Sequence, residues 1–241
     1  MDEPVPLVDE PGPLSPTVRT RITRQPDLAS TDRSALGVVL DEAYVCHLGV
    51  VVDGTPRVVP TICAPDWDGA DPAGTLYVHG SVAATSLVAA PDQTVCVTVT
   101  LVDGLMLARS GFEHSVAYRS ATVYAVPRPV TDRVEVLRAL DLLVDHVVPG
   151  RAATLRPHTR KELAATRVLA LSLAEASVKV SEGDPEDLPA DVAAGTWAGR
   201  LPTRTVADPP RTAADVPPGT PVPGDVLALA RRLAAPRPEP G

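Results

Sequence analysis

Lysine is scarce in this sequence: among 241 residues only Lys161 and Lys179 occur, and 30 acidic residues against 22 basic ones leave a net charge of −8. Phosphate backbones are bound by clustered Lys and Arg that release counterions, so nucleic acid is excluded as an expected partner. Cysteine is also rare. Cys46, Cys63 and Cys96 are odd in number, show no Cys-x-x-Cys spacing and sit inside apolar runs. That pattern predicts reduced core thiols in a cytoplasmic protein, not a disulfide framework. No apolar stretch approaches the roughly 18 residues of a spanning helix. The N-terminus is acidic and Pro-rich, unlike a leader, so no membrane association is expected.

Aromatic residues make up only 3% of the chain, so its core must be built from Val, Leu and Ala, and the Val-rich runs favour strands. The phosphate-loop, GxGxxG and HExxH patterns are missing, which removes their chemistries from consideration. The five histidines are scattered. Cys46 and His47, adjacent on an expected strand, point to opposite faces and cannot chelate one ion, so no metal site is expected.

What is present reads as one domain with tails. Of 27 prolines, 18 lie in residues 1–26 or 185–241. Residues 1–16 form an expected Pro-rich disordered tail, residues 17–201 the domain, and residues 202–241 a second Pro-rich tail in which Asp225–Ala235 has the spacing of a short capped helix. Within the domain, Ala35, Leu36, Val39, Leu40 and Ala43 share one helical face over Thr31–Ala43, with Ser30 or Thr31 as cap. Two Val-rich runs, Tyr44–Val52 and Thr55–Ile62, flank Asp53-Gly54 and predict a type I′ hairpin. A second Asp-Gly at 103–104 predicts another, between Thr94–Val102 and Leu105–Arg109. Strands are expected over Thr75–His79, Tyr118–Val126, Val168–Leu173 and Ser177–Val180. A helix is expected from Asp132, paired with Glu135 as a capping box, to Pro149-Gly150. The expected class is mainly β with flanking α, as an antiparallel barrel or sandwich.

Several stretches, taken in order, carry a family resemblance: Tyr44-Val-Cys-His-Leu-Gly49, Asp53-Gly-Thr-Pro-Arg-Val-Val-Pro-Thr61, Leu76-Tyr-Val-His-Gly-Ser81, Val95-Cys-Val-Thr-Val-Thr-Leu-Val-Asp-Gly-Leu-Met-Leu-Ala-Arg-Ser110 and His114-Ser-Val-Ala-Tyr-Arg-Ser120. They resemble the pyridoxamine 5'-phosphate oxidase-like family, in its flavin-nucleotide-binding branch related to nitroimidazole-resistance reductases. Matches continue to Trp197-Ala-Gly199. The resemblance implies an FMN-binding split β-barrel, a homodimer with flavin between two barrels, and an FMN-dependent oxidoreductase acting on a small molecule. Deazaflavin-dependent reduction, a flavin or haem carrier with His47, His79 or His114 as axial ligand, and a cofactor-free repurposed barrel remain as alternatives.

The implied cofactor residues are Thr61, His79, Gly80, Ser81, Thr85, Ser86, Arg109, Tyr118, Arg119, Ser120 and Trp197, with His114 as the catalytic proton donor. Gly80 admits close backbone approach, and Ser81 offers a hydroxyl to a phosphate. His114 titrates near neutrality, and Arg109 and Arg119 suit an anionic group. The usual Ser-Arg pair after His-Gly-Ser is absent. Here the chain reads Val82-Ala-Ala-Thr-Ser86, so Thr85 stands where relatives carry the arginine, a neutral hydroxyl in place of a charge-assisted contact.

Overall fold

A computed structural model describes residues 13–14 and 17–235. Its strands are β1 (Ala29–Ser30), β2 (Val45–Val52), β3 (Thr55–Asp66), β4 (Thr75–Ser81), β5 (Val95–Leu107), β6 (Ser115–Ala125), β7 (Arg128–Pro129), β8 (Thr166–Ser172), β9 (Ala176–Ser181) and β10 (Gly199–Pro202). The helices are α1 (Arg33–Glu42), α2 (Thr85–Ala89), α3 (Arg133–Val147), α4 (Arg160–Ala165), α5 (Pro189–Ala193) and α6 (Gly224–Ala234). Strands run in the order β1-β9-β6-β5-β2-β3-β4-β8-β7, all antiparallel, with β10 added to β5.

The long strand β3 makes the barrel a split one. Residues Thr55–Ile62 pair with β2, whereas Cys63–Asp66 pair with β4, so the two halves of the sheet share β3 and part at Ile62 and Cys63. This is the mainly β split barrel that the sequence resemblance implies. Strand alternation divides the side chains. Cys46, Leu48 and Val50 are buried inside the barrel, where α1 adds Leu36, Val39 and Leu40. Each such Leu or Val contributes roughly 1.5–3 kcal/mol by leaving water. A second, smaller core lies outside the barrel, where Ala139, Leu140 and Leu143 of α3 cover Ala64, Tyr77, Val168 and Ala170.

Local signals explain most ends. Asp53 and Gly54 adopt φ of 51° and 73°, as a type I′ turn requires. Helix α1 is capped by Asp32, which accepts from the Ser34 amide at 2.8 Å, and not by Ser30 or Thr31. Asp132 caps α3 through the Glu135 amide, but the Glu135 carboxylate turns to Arg128 and Tyr77 instead of reaching back.

Asp103-Gly104 corrects the sequence reading. It is no hairpin turn: β5 runs straight through it, with a register shift between Val102 and Gly104 against β6. A β-bulge is the other use of Gly inside a strand. The glycine is needed because a Cβ there would lie 3.0 Å from the Leu201 carbonyl of β10. Asp103 meanwhile turns its carboxylate to Arg119.

The outward face of β2, β3, β5 and β6 departs from the usual polar exterior of an antiparallel sheet. It carries Val45, His47, Val51, Pro56, Val58, Pro60, Ile62, Cys96, Thr98, Thr100, Val102, Tyr118, Ser120, Thr122 and Tyr124, none of them an acid, lysine or arginine, and charge returns only at its border, where Arg19 lies over the Tyr124 ring and Lys179 of β9 stands opposite Ser120. Val45, Val51, Val58 and Val102 are exposed there.

Residues 203–223 form neither strand nor helix, and α6 follows them. Of the expected N-terminal tail, residues 1–12 and 15–16 lie outside the described residues. Among the described residues no helix is long and apolar enough to cross a membrane.

Candidate functional site

The alternation of β4 decides where its motif residues act. Leu76 and Val78 point into the barrel, and Gly80 shares their face. Tyr77 and His79 point the other way, toward α3. Beneath α3 lies a cavity of about 420 Å³, lined by His79, Ile62, Leu140, Leu143, Arg151 and His158 among others. Its wall is mostly the apolar face of α3, continued by Val144, Val147 and Val148.

His79 is the unusual member of this wall. Its Nδ1 is buried without a hydrogen-bond partner. Burial also pushes its imidazole below the ordinary histidine pKa, which keeps it neutral with a free lone pair. A buried unsatisfied nitrogen costs roughly 1–3 kcal/mol, so the position favours a ligand that would complete it. His158 brings a second imidazole, with Nε2 3.7 Å from the Asp141 carboxylate. Arg151 donates to Asp225 of α6 at 3.4 Å, which ties the C-terminal helix to the cavity. Beside the cavity, Tyr77 donates to Glu135 at 3.0 Å. Burial, reinforced by that carboxylate, pushes the phenol up to about 12.

The second region is the split between β3 and β4. Arg57 and Thr61 share the face of β3 that Cys63 and, across the pair, Val50 also use. The Arg57 guanidinium donates to the Thr85 hydroxyl at 3.3 Å, linking β3 to the start of α2. Gly80 lies under α2, and a Cβ there would meet Leu87 Cδ1 at 2.8 Å, so a side chain at this position would have to displace Leu87. Ser81 accepts from the Ala83 amide at 3.2 Å and shapes the turn into α2. Ser86 follows Thr85 and is half-buried. Thr61 makes no more than a 3.5 Å contact to the Ile62 carbonyl, so its hydroxyl is nearly unengaged.

The remaining residues singled out from the sequence are placed elsewhere. Tyr118 and Ser120 lie on the uncharged outward face, opposite Val102 and Thr100. Arg119 faces the other way and is held by Asp103 and Glu42. Arg109 donates to Asp187 at 2.8 Å and to the Thr196 carbonyl at 2.9 Å, which brings it to the segment carrying the exposed Trp197. His114 sits in the β5–β6 loop with Nδ1 2.8 Å from the Ser110 carbonyl. His47 points outward and is exposed. The fold thus puts His79 in one region, Thr61, Gly80 and Thr85 in another, and Arg109 and Trp197 in a third. Arg57 and His158 were missed. Arg57 was detectable, since its spacing of four from Thr61 places both on one strand face. His158 lies in an irregular segment that left no periodic signal. Among the described residues no group of three or more His, Cys, Asp or Glu is arranged to hold a metal ion.

With this geometry in view, similarity to known proteins is informative. A family model described as pyridoxamine 5'-phosphate oxidase matches residues 32–180. The chain belongs to this family. Among solved structures, the flavocytochrome Anf3 from Azotobacter vinelandii is 36% identical, with 90% of this chain and 98% of that chain aligned and a TM-score of 0.82. The FAD and haem binding protein from Mycobacterium smegmatis is 40% identical over 83% of this chain and 96% of its own, with a TM-score of 0.77. A protein from Bacteroides thetaiotaomicron assigned to 5-nitroimidazole antibiotic resistance shares the fold at 20% identity and a TM-score of 0.51, over 63% of this chain and 86% of that one. No curated protein matches the sequence. The match to the family model ends at Val180, so α5, β10 and α6 lie beyond it, whereas the Anf3 alignment covers 90% of this chain.

Proposed function

We propose that this member of the pyridoxamine 5'-phosphate oxidase family is a flavin- and haem-binding redox protein, with haem in the cavity beneath α3 and the flavin nucleotide at the split between β3 and β4. The observation that carries this reading is His79: a neutral, buried imidazole with an unpartnered nitrogen, set in an apolar cavity of about 420 Å³. Imidazole is a common axial ligand of haem iron, and an apolar wall suits the macrocycle. His158 offers a second imidazole in the same cavity, and Arg151 a guanidinium suited to a carboxylate. The names of the two relatives above 30% identity, one a flavocytochrome and one an FAD and haem binding protein, support the pairing.

When bound, the flavin supplies hydride or electron chemistry toward a small molecule and the haem supplies one-electron chemistry. The chain's own residues position and insulate. The Leu and Val wall of α3 excludes water, Gly80 keeps its strand free of side-chain bulk, and Thr61, Thr85 and Arg57 present two hydroxyls and a cation. The flavin is the FMN or FAD of an oxidoreductase; His114 and Arg119 are not needed to bind it in this account.

The same reading includes a homodimer. A sheet face without charge and with several exposed valines is an unstable solvent boundary, and covering it with a second copy about a two-fold axis removes it from water. Ile62 belongs both to this face and to the cavity lining, so the partner would also screen the cavity.

The test is the absorbance spectrum of the purified protein after incubation with haem and flavin and removal of the excess. Retention of both a Soret band and flavin bands is expected. Flavin without any Soret band would reduce the protein to a simple flavoprotein, and neither would leave a cofactor-free barrel.

A further inference from the structure

Between β10 and α6 the chain runs through residues 203–223 without strand or helix. A structureless stretch of more than about 15 residues is uncommon in a folded chain unless it carries function. This one is held at both ends. The Thr203 amide donates to the Asp103 carbonyl at 3.0 Å, beside the bulge of β5. Arg204 then donates to the carbonyls of Leu233, Ala234 and Ala235 at 3.3, 3.4 and 2.8 Å. One guanidinium thereby caps the C-terminal end of α6 and closes residues 204–235 into a loop.

The closed loop surrounds a cavity of about 350 Å³, and every lining residue except Arg151 comes from residues 210–226. Its wall is apolar and stiff. Val216, Val222 and Val226 stand among prolines, whose fixed φ and missing N–H leave little to rearrange or to solvate. Two guanidiniums border this wall. Arg151 is answered by Asp225 at 3.4 Å. Arg211 is exposed and has no described hydrogen bond or ion pair, and the Thr212 hydroxyl beside it has none either. The lining therefore carries one positive charge that the described chain leaves unanswered, next to an apolar space of the size that takes a small molecule.

We propose that this cavity binds a small organic acid, a monocarboxylate with an apolar body, whose carboxylate is held by Arg211 and the Thr212 hydroxyl while the body lies against the valines and prolines. Charge and surface choose the class. One unanswered guanidinium matches one negative charge and can present two donors to a carboxylate, whereas a dianionic phosphate would also meet the Asp225 carboxylate nearby. A bare inorganic anion leaves the apolar wall in water, and a neutral apolar molecule leaves Arg211 unused. Arg151 lines both this cavity and the one beneath α3, so the acid lies beside the cavity assigned to haem. The match to the family model ends at Val180, which places the site in the C-terminal extension and apart from the shared barrel.

The experiment is a calorimetric titration of the full chain, wild type against Arg211→Ala, with phenylacetate, hexanoate, phenylacetamide and inorganic phosphate. At least one of the two acids should bind the wild type with a Kd below about 1 mM, and phenylacetamide and phosphate should bind at least about tenfold more weakly. Arg211→Ala removes one charge-assisted contact and should weaken the acids by about tenfold while leaving phenylacetamide unchanged. Because Arg211 is exposed, this variant should keep the wild-type circular dichroism spectrum. No binding of either acid up to about 10 mM overturns the proposal, as does acid binding that Arg211→Ala leaves unchanged. Phosphate bound as tightly as the acids overturns the assignment to an organic acid. These titrations do not depend on the haem reading: a chain that binds the acids and never shows a Soret band keeps this site and loses the haem.

Discussion

Arg119 grips Asp103 with two parallel hydrogen bonds, Nε to one carboxylate oxygen at 2.8 Å and a terminal nitrogen to the other at 2.9 Å. A third bond reaches Glu42 of α1 at 2.7 Å. One side chain thus ties the bulge of β5 to β6 and to the helix that plugs the barrel. Both acids hold the guanidinium's pKa above its ordinary value. Replacing Arg119 by Ala should therefore act on stability, by about 2–4 kcal/mol, because it strands a half-buried carboxylate. Thermal unfolding should show the loss, and flavin affinity should stay near wild type. A stable variant with weakened flavin binding would return Arg119 to the cofactor site.

Acidification should act through His79. Its folded pKa lies below the ordinary histidine value of about 6.5, so the unfolded chain binds a proton first. The stability it contributes is present above that value and is lost as pH falls through about 6.5 toward the lower folded pKa. Haem affinity should hold through 6.5 and decline only once pH reaches the lower folded value, since a protonated imidazole has no lone pair for iron. Titrations of haem binding over falling pH, wild type against His79→Ala, should show this acid-side decline in the wild type alone; identical profiles for the two would mean that His79 is no ligand.

At the alkaline end Tyr77 sets the limit. Its phenol, raised to about 12 chiefly by burial and next by the Glu135 hydrogen bond, keeps its proton longer when folded than the ordinary value of about 10 allows when unfolded. Stability is full below 10 and falls as pH rises from 10 toward 12. Tyr77→Phe should flatten this alkaline loss and also cost about 1 kcal/mol at neutral pH for the missing hydrogen bond, both measurable by denaturant unfolding.

The homodimer is open to a direct test at Val58, which is 69% exposed on the uncharged face and so tolerates substitution within the folded subunit. Light scattering of the wild type should give twice the 25.2 kDa chain mass. Val58→Glu places two like charges across the two-fold and should give the single-chain mass with an unchanged circular dichroism spectrum. A monomeric wild type would remove the shared interface.

Much of this architecture is legible in the sequence because local rules and tertiary needs agree. Val-rich alternation marks β2 and the first part of β3, and Asp53-Gly54 marks their turn. The same dipeptide misleads at 103–104, where the demand comes from outside: β10 crosses at Gly104 and leaves no room for a Cβ, a contact made by residues almost a hundred positions away. Helix α2 is only five residues long and carries too few turns for a periodic signal. The site divides similarly. His-Gly-Ser drew notice as a unit, yet strand alternation sends His79 toward α3 and Gly80 toward α2, so one motif serves two regions.

The most direct measurement is a haem titration of the full chain, wild type against His79→Ala, read at the Soret band. The account predicts stoichiometric binding by the wild type, with a spectrum of histidine-ligated haem. For His79→Ala it predicts at least a tenfold loss of affinity, about 1.4 kcal/mol, with the flavin complex unaffected. A His79→Ala variant that binds haem as tightly as the wild type and with the same spectrum would contradict it.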